Sequence, residues 1–105
     1  MREGAYQAKI IQRLKACFPE CIILKNDSGY MQGIPDLTVF YNDKWAMLEV
    51  KVSKDASNQP NQEHYIQVLD AMSFAAFIYP ENEEAVFNEL QSAFRSPRKA
   101  RLSKS

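Results

Sequence analysis

The segment Trp45-Ala46-Met47-Leu48-Glu49-Val50-Lys51-Val52-Ser53 restricts the fold of this 105-residue chain more than any other. Strand alternation sends Ala46, Leu48, Val50 and Val52 to one face, and Trp45, Met47, Glu49 and Lys51 to the other. Both faces are largely apolar, as in a central strand covered on two sides. Yet Glu49 and Lys51 share one of those faces, and a buried charge without a partner is strongly destabilising. Either the two form an internal salt bridge, or chemistry requires them there. The segment alone leaves both readings open.

The flanking sequence supplies layers to cover such a strand. Residues 4–18 read as a helix, with Tyr6, Ile10, Ile11, Leu14, Cys17 and Phe18 at three- and four-residue steps and Pro19 as its stop. Residues 21–25 form a short β-branched run that suits a strand, and 26–35 is a loop rich in turn formers. Two strand runs, 36–42 and 44–53, meet near Asn42-Asp43-Lys44 as a hairpin. A loop over 54–61 leads to a helix over 61–73 with Tyr65, Ile66, Leu69 and Met72 on one face. A fourth strand over 74–79 ends at Pro80, and a helix over 81–94 buries Val86, Leu90, Ala93 and Phe94. The order α-β-β-β-α-β-α predicts a single α/β domain, a mixed central sheet flanked by helices.

A third charge enters the sheet at Asp36, whose approach Pro35 fixes. In a hairpin turning near 42–44, residue 36 falls roughly across from residue 50, so Asp36 approaches Glu49 and Lys51. Two carboxylates converging at a sheet end repel unless a cation lies between them. Oxygen ligands of this kind suit Mg²⁺ or Mn²⁺. With Lys51 beside them, the set fits metal-assisted phosphodiester hydrolysis: a hard cation, an activated water and a stabiliser of developing charge.

Ile34-Pro35-Asp36, thirteen residues, then Glu49-Val50-Lys51 resembles the signature of the PD-(D/E)XK nuclease superfamily. The predicted element order is similar to its restriction-endonuclease-like core. Gly33-Ile34-Pro35-Asp36 and Gln59-Pro60-Asn61-Gln62 further resemble the virus-type replication-repair nuclease (VRR-NUC) domains, over roughly residues 3 to 79. The resemblance implies that Asp36 and Glu49 bind the divalent metal with the backbone carbonyl of Val50, and that Lys51 positions or activates the attacking water. It implies that Gln62 lies near the metal or the scissile phosphate, and that Glu3, opening the first helix, is a further active-site acid. It also implies DNA as substrate, 5′-phosphate products, and a homodimer like the small Holliday-junction resolvases. Branched or junction DNA is the expected structure preference, and repair, recombination or phage DNA processing the setting.

The net charge of zero, thirteen basic against thirteen acidic residues, first argues against nucleic acid. Its distribution changes that. Residues 1–94 hold eight basic residues and all thirteen acids, net −5, whereas 95–105 hold five basic residues and no acid. The division predicts a folded domain over 1–94, which the resemblance makes a nuclease domain, and a basic flexible tail over 95–105. Phosphate contacts fall to Lys25, Lys51, Lys54 and the tail residues Arg95, Arg98, Lys99 and Arg101, and Tyr30 is a base- or sugar-stacking candidate. No segment has a membrane span's length, and two cysteines make no disulfide scaffold, so the cytoplasm is expected; the resemblance implies a bacterial or phage-infected cell. The alternative function is a DNA- or junction-binding module of the same fold that does not cleave.

Overall fold

In a computed structural model, residues 1–95 are described. The tail residues Arg98, Lys99 and Arg101 lie outside them. Three helices and four strands follow in the order α1 (Glu3–Cys17), β1 (Ile22–Lys25), β2 (Leu37–Tyr41), β3 (Lys44–Val50), α2 (Gln62–Met72), β4 (Ala75–Ile78) and α3 (Glu83–Arg95). The sheet order is β1-β2-β3-β4; β1–β2 and β2–β3 pair antiparallel, and β3–β4 pair parallel across the α2 connection. This is a small α/β domain with a mixed sheet.

The hairpin turns on Asn42 and Asp43, between the paired residues Tyr41 and Lys44. Asn42 takes φ 56°, a left-handed conformation that asparagine tolerates better than most residues, which is how the turn closes without glycine. One register expectation needs correction. Leu37 pairs with Leu48, so continuing the ladder sets Asp36 across from Glu49, not residue 50. A tight two-residue turn moves the pairing by one place.

Leu37, Val39, Ala46, Leu48, Val50 and Ile78 share one sheet face with Tyr6, Ile10, Leu14 and Phe18 of α1 and its cap, and with Val86, Phe87, Leu90 and Phe94 of α3. Phe87 joins this core although the sequence stripe had omitted it. Arg13 clasps the two helices: its guanidinium reaches Glu83 at 2.6 Å and Glu84 at 2.7 Å, and lies 4.2 Å above the Phe87 ring. α2 packs against β3 and β4 from the opposite face. Its expected apolar stripe is not buried: Tyr65, Ile66 and Leu69 are half-buried, and Met72 is 68% exposed. Gln62 is the helix's one buried residue.

β3 stops at Val50, three residues before the end of the apolar run, because its parallel partner stops at Ile78. Lys51 N still donates to Ile78 O at 2.9 Å; beyond, Pro80 has no N–H to offer. α3 includes Arg95, which the charge division assigns to the tail; its Nε donates to Gln91 O. Among the described residues, no helix is long and apolar enough to cross a membrane.

Candidate active site

The chain reaches the site through the loop before β2. Asn26 N donates to Asp36 O at 2.7 Å, and its side-chain amide donates to both Pro35 O and Thr38 Oγ1. Asn26 thus fixes the backbone on either side of Asp36. In the sequence Asn26 is only one of the turn formers of the 26–35 loop.

Asp36 and Glu49 then hold each other across the hairpin. Asp36 N donates to Glu49 Oε1 at 3.2 Å, and Val50 N donates to Asp36 Oδ2 at 3.0 Å. Two backbone N–H groups therefore orient two carboxylates toward the same space. Val50 is fully buried and reaches the site through this N–H.

Gln62 completes the arrangement from the first turn of α2. Its Nε2 donates to Glu49 Oε2 at 2.9 Å, while its Oε1 accepts from Lys51 Nζ at 2.8 Å and from Gln59 N at 2.9 Å. The chemistry of its partners fixes the amide's orientation, since an ammonium and an N–H can only donate and a carboxylate accepts. Lys51 Nζ also donates to Ser57 O at 3.1 Å and stands 3.8 Å from Glu49 Oε2. Glu49, Lys51 and Gln62 are 3%, 7% and 8% exposed. Among the described residues, no buried side-chain nitrogen or oxygen lacks a hydrogen-bond partner.

These groups line a cavity of about 540 Å³, together with Glu3 and the backbone around Gly33 and Ser57. Four sequence-predicted side chains, Asp36, Glu49, Lys51 and Gln62, come together there, and Glu3 faces the same space. Burial pushes the Glu49 carboxyl up to about 7; the charge of Asp36 adds to the rise, Lys51 opposes it, and Glu3 contributes a smaller upward push. Burial also raises the Asp36 carboxyl, against the pull of Val50 N–H and Lys51.

Two carboxylates crowded in one buried space, each raised above its ordinary range, have the charge pattern that a hard cation would stabilise. Among the described residues no three His, Cys, Asp or Glu side chains gather into a metal-ligand cluster. Two carboxylates fit Mg²⁺ or Mn²⁺, which keep several waters, better than zinc, which needs three or four protein ligands.

Gly33 joins the two halves of the site. It has φ 92°, and a Cβ there would stand 2.6 Å from Asn61 Cβ and 2.9 Å from Pro60 O. The loop carrying Asp36 therefore packs directly on the residues that precede Gln62, which a side chain would forbid.

The other predicted contacts are dispersed. Lys25 is exposed at the end of β1, and Lys54 lines a second cavity on the far side of Lys51. Tyr30, 88% exposed, lines a separate cavity with Met31, Ile34 and Met47, and Arg95 lies beside Phe18 and Tyr41. His64 is exposed against Tyr65, and Cys17 and Cys21 are free and half-buried. A scan against protein-family models, a search of curated proteins and a search of solved structures each return no match.

Proposed function

We propose that this chain is a Mg²⁺- or Mn²⁺-dependent deoxyribonuclease, an endonuclease with a core resembling that of the PD-(D/E)XK nucleases and their VRR-NUC domains. The observation that carries the reading is the convergence of Asp36 and Glu49 from adjacent strands on one cavity, beside a lysine held by an amide. Asp36 and Glu49 would hold the cation, with the Val50 carbonyl as a backbone ligand. Once bound, the cation would supply Lewis acidity toward a phosphate and lower the pKa of a water.

The chain's own groups do the rest. Lys51, fixed by Gln62 Oε1 and Ser57 O, directs its ammonium at the negative charge that develops on the phosphate. Gln62 holds Glu49 and Lys51 at a set separation, so it is a positioning residue. Glu3 adds negative charge at the cavity's wall. DNA as substrate, branched-structure selectivity and a homodimer with two active sites follow from the family resemblance, and the dimer is the common symmetric solution.

One observation favours a second reading. The Glu49–Gln62–Lys51 chain is fully hydrogen-bonded and buried, as an internal polar clasp would be. Lys51→Met separates the two. The nuclease reading predicts a folded protein that has lost Mg²⁺-dependent cleavage of labelled DNA. A wild-type chain that cuts no duplex, flap, four-way-junction or single-stranded DNA, with a Lys51→Met variant as stable or more so, supports the clasp. Metal-independent DNA binding without cutting supports the non-cleaving module.

A further inference from the structure

Lys51 stands between two cavities. Its ammonium is bonded on the side of Asp36 and Glu49, and its side chain also lines a second space of about 380 Å³. Ala56 is the other residue common to both. The second cavity lies between loop 52–61, the end of β4 and the turn before α3, and its volume is at the lower end of the range of about 300–1,000 Å³ for small-ligand sites.

The two spaces differ in chemistry. The first carries three acids and the Lys51 ammonium; the second carries Lys54 and the Lys51 side chain with Glu63 as its one acid, which accepts from Asn58 Nδ2 at 3.1 Å. Lys54 is exposed and makes no ion pair among the described residues. Ser53 Oγ accepts from Asp55 N, which leaves its O–H to donate. Phe77 and Tyr79, two residues apart at the end of β4, give the cavity an aromatic wall, and neither ring stacks on another aromatic ring among the described residues. Tyr79 is held in place through its backbone, its N–H donating to Asn82 Oδ1 at 2.8 Å.

We propose that this second cavity is a subsite for one unpaired nucleotide next to the scissile phosphate. Lys54 and the Ser53 hydroxyl take its phosphate, and its base stacks on Tyr79. The inference rests on the nuclease reading for the word "scissile" and deepens it by naming the substrate class. A base can stack on a protein ring only when its own face is free, and in an intact duplex that face is covered by the neighbouring base pair. The strand at the cut is therefore single-stranded or splayed.

The test is fluorescence anisotropy of a labelled single-stranded oligonucleotide and its blunt duplex, with full-length protein and Ca²⁺ in place of Mg²⁺, beside Mg²⁺-dependent cleavage of the same probes. Tyr79→Ala is expected to weaken single-strand binding about tenfold, and Tyr79→Phe to retain it, because stacking needs the ring and not the hydroxyl. Lys54→Ala, on an exposed side chain that leaves the fold intact, is expected to weaken it several-fold and reduce its salt dependence. Duplex binding should change less than twofold in each variant. Single-strand binding by wild type that Tyr79→Ala and Lys54→Ala leave within twofold overturns the subsite while the nuclease reading stands. Tyr79-dependent binding by a protein that also cuts no duplex, flap, four-way-junction or single-stranded DNA upholds the subsite and overturns the nuclease reading. No single-strand binding by wild type overturns the subsite.

Discussion

Gln62 Nε2 lies 2.9 Å from Glu49 Oε2, at one end of an amide whose other end accepts the Lys51 ammonium at 2.8 Å. A single side chain from the start of a helix thus sets the distance between Glu49, near the end of β3, and Lys51, just beyond it. Without it, Glu49 and Lys51 would collapse into a closer pair or open toward water.

Gln62→Ala is therefore expected to lower the cleavage rate constant about a hundredfold, the size of effect that ångström-scale misplacement produces. Its KM for DNA should stay near the wild-type value, since Gln62 acts through Glu49 and Lys51. The acid limb of the pH–rate profile should also move, because Glu49 loses a donor to its charged form. A purely structural role would lower the thermal midpoint and leave that profile in place.

The raised Glu49 carboxyl makes stability depend on pH in a defined direction. Its folded value of about 7 lies above its ordinary 4.5, so the fold favours the protonated form. That contribution is complete below about pH 4.5 and is lost as pH rises through about 7, with an upper bound of about 3 kcal/mol. Divalent cations bind the ionised carboxylate. Saturating Mg²⁺ should thus raise the thermal midpoint little at about pH 5.5 and clearly at about pH 8. Thermal denaturation with EDTA and with Mg²⁺ at both pH values checks this, and an equal Mg²⁺ effect at both contradicts it.

Gly33→Ala should cost about 1–3 kcal/mol, through a left-handed backbone and a Cβ only 2.6 Å from Asn61 Cβ. It should also reduce cleavage, since relief of that clash moves the Asp36 loop away from the residues preceding Gln62. Gly4→Ala is the matched control: nothing lies within 4 Å of its Cβ, and in a helix it should stabilise by about 0.5–1 kcal/mol. Chemical denaturation reads both.

Deleting residues 96–105 removes Arg98, Lys99, Arg101 and Lys104, four of the thirteen basic residues. DNA binding should weaken and its dependence on salt flatten, while the rate at saturating DNA is unchanged. A salt slope equal to that of the full chain would assign phosphate contact to the folded domain alone.

Much of this was legible in the residues. The alternation of 45–52 put Glu49 and Lys51 on one face, and the hairpin brought in Asp36, because period and turn position are local properties of the chain. The exact partner of Asp36 was not, since it depends on how Asn42 closes the turn. Gln62 was found through its likeness to a motif, but its two-sided role depends on where α2 sits over β3, a tertiary relationship that no local pattern encodes. The same holds for Gly33 against Asn61, and for Asn26 bracketing Asp36. The stripe on α2 misled because periodicity marks an apolar face without saying how much of it the sheet covers.

On the proposed reading, Asp36 and Glu49 hold a divalent cation that supports phosphodiester hydrolysis. The most direct test of that reading is the initial rate of cleavage of end-labelled duplex, flap, four-way-junction and single-stranded DNA, with Mg²⁺, Mn²⁺ or EDTA, by wild type and Asp36→Asn. Cleavage of at least one of these DNAs by wild type that EDTA abolishes, with a loss of at least about a thousandfold in a folded Asp36→Asn protein, is the predicted result. Cleavage that survives EDTA or Asp36→Asn, or no cleavage of any DNA under any condition, would contradict it.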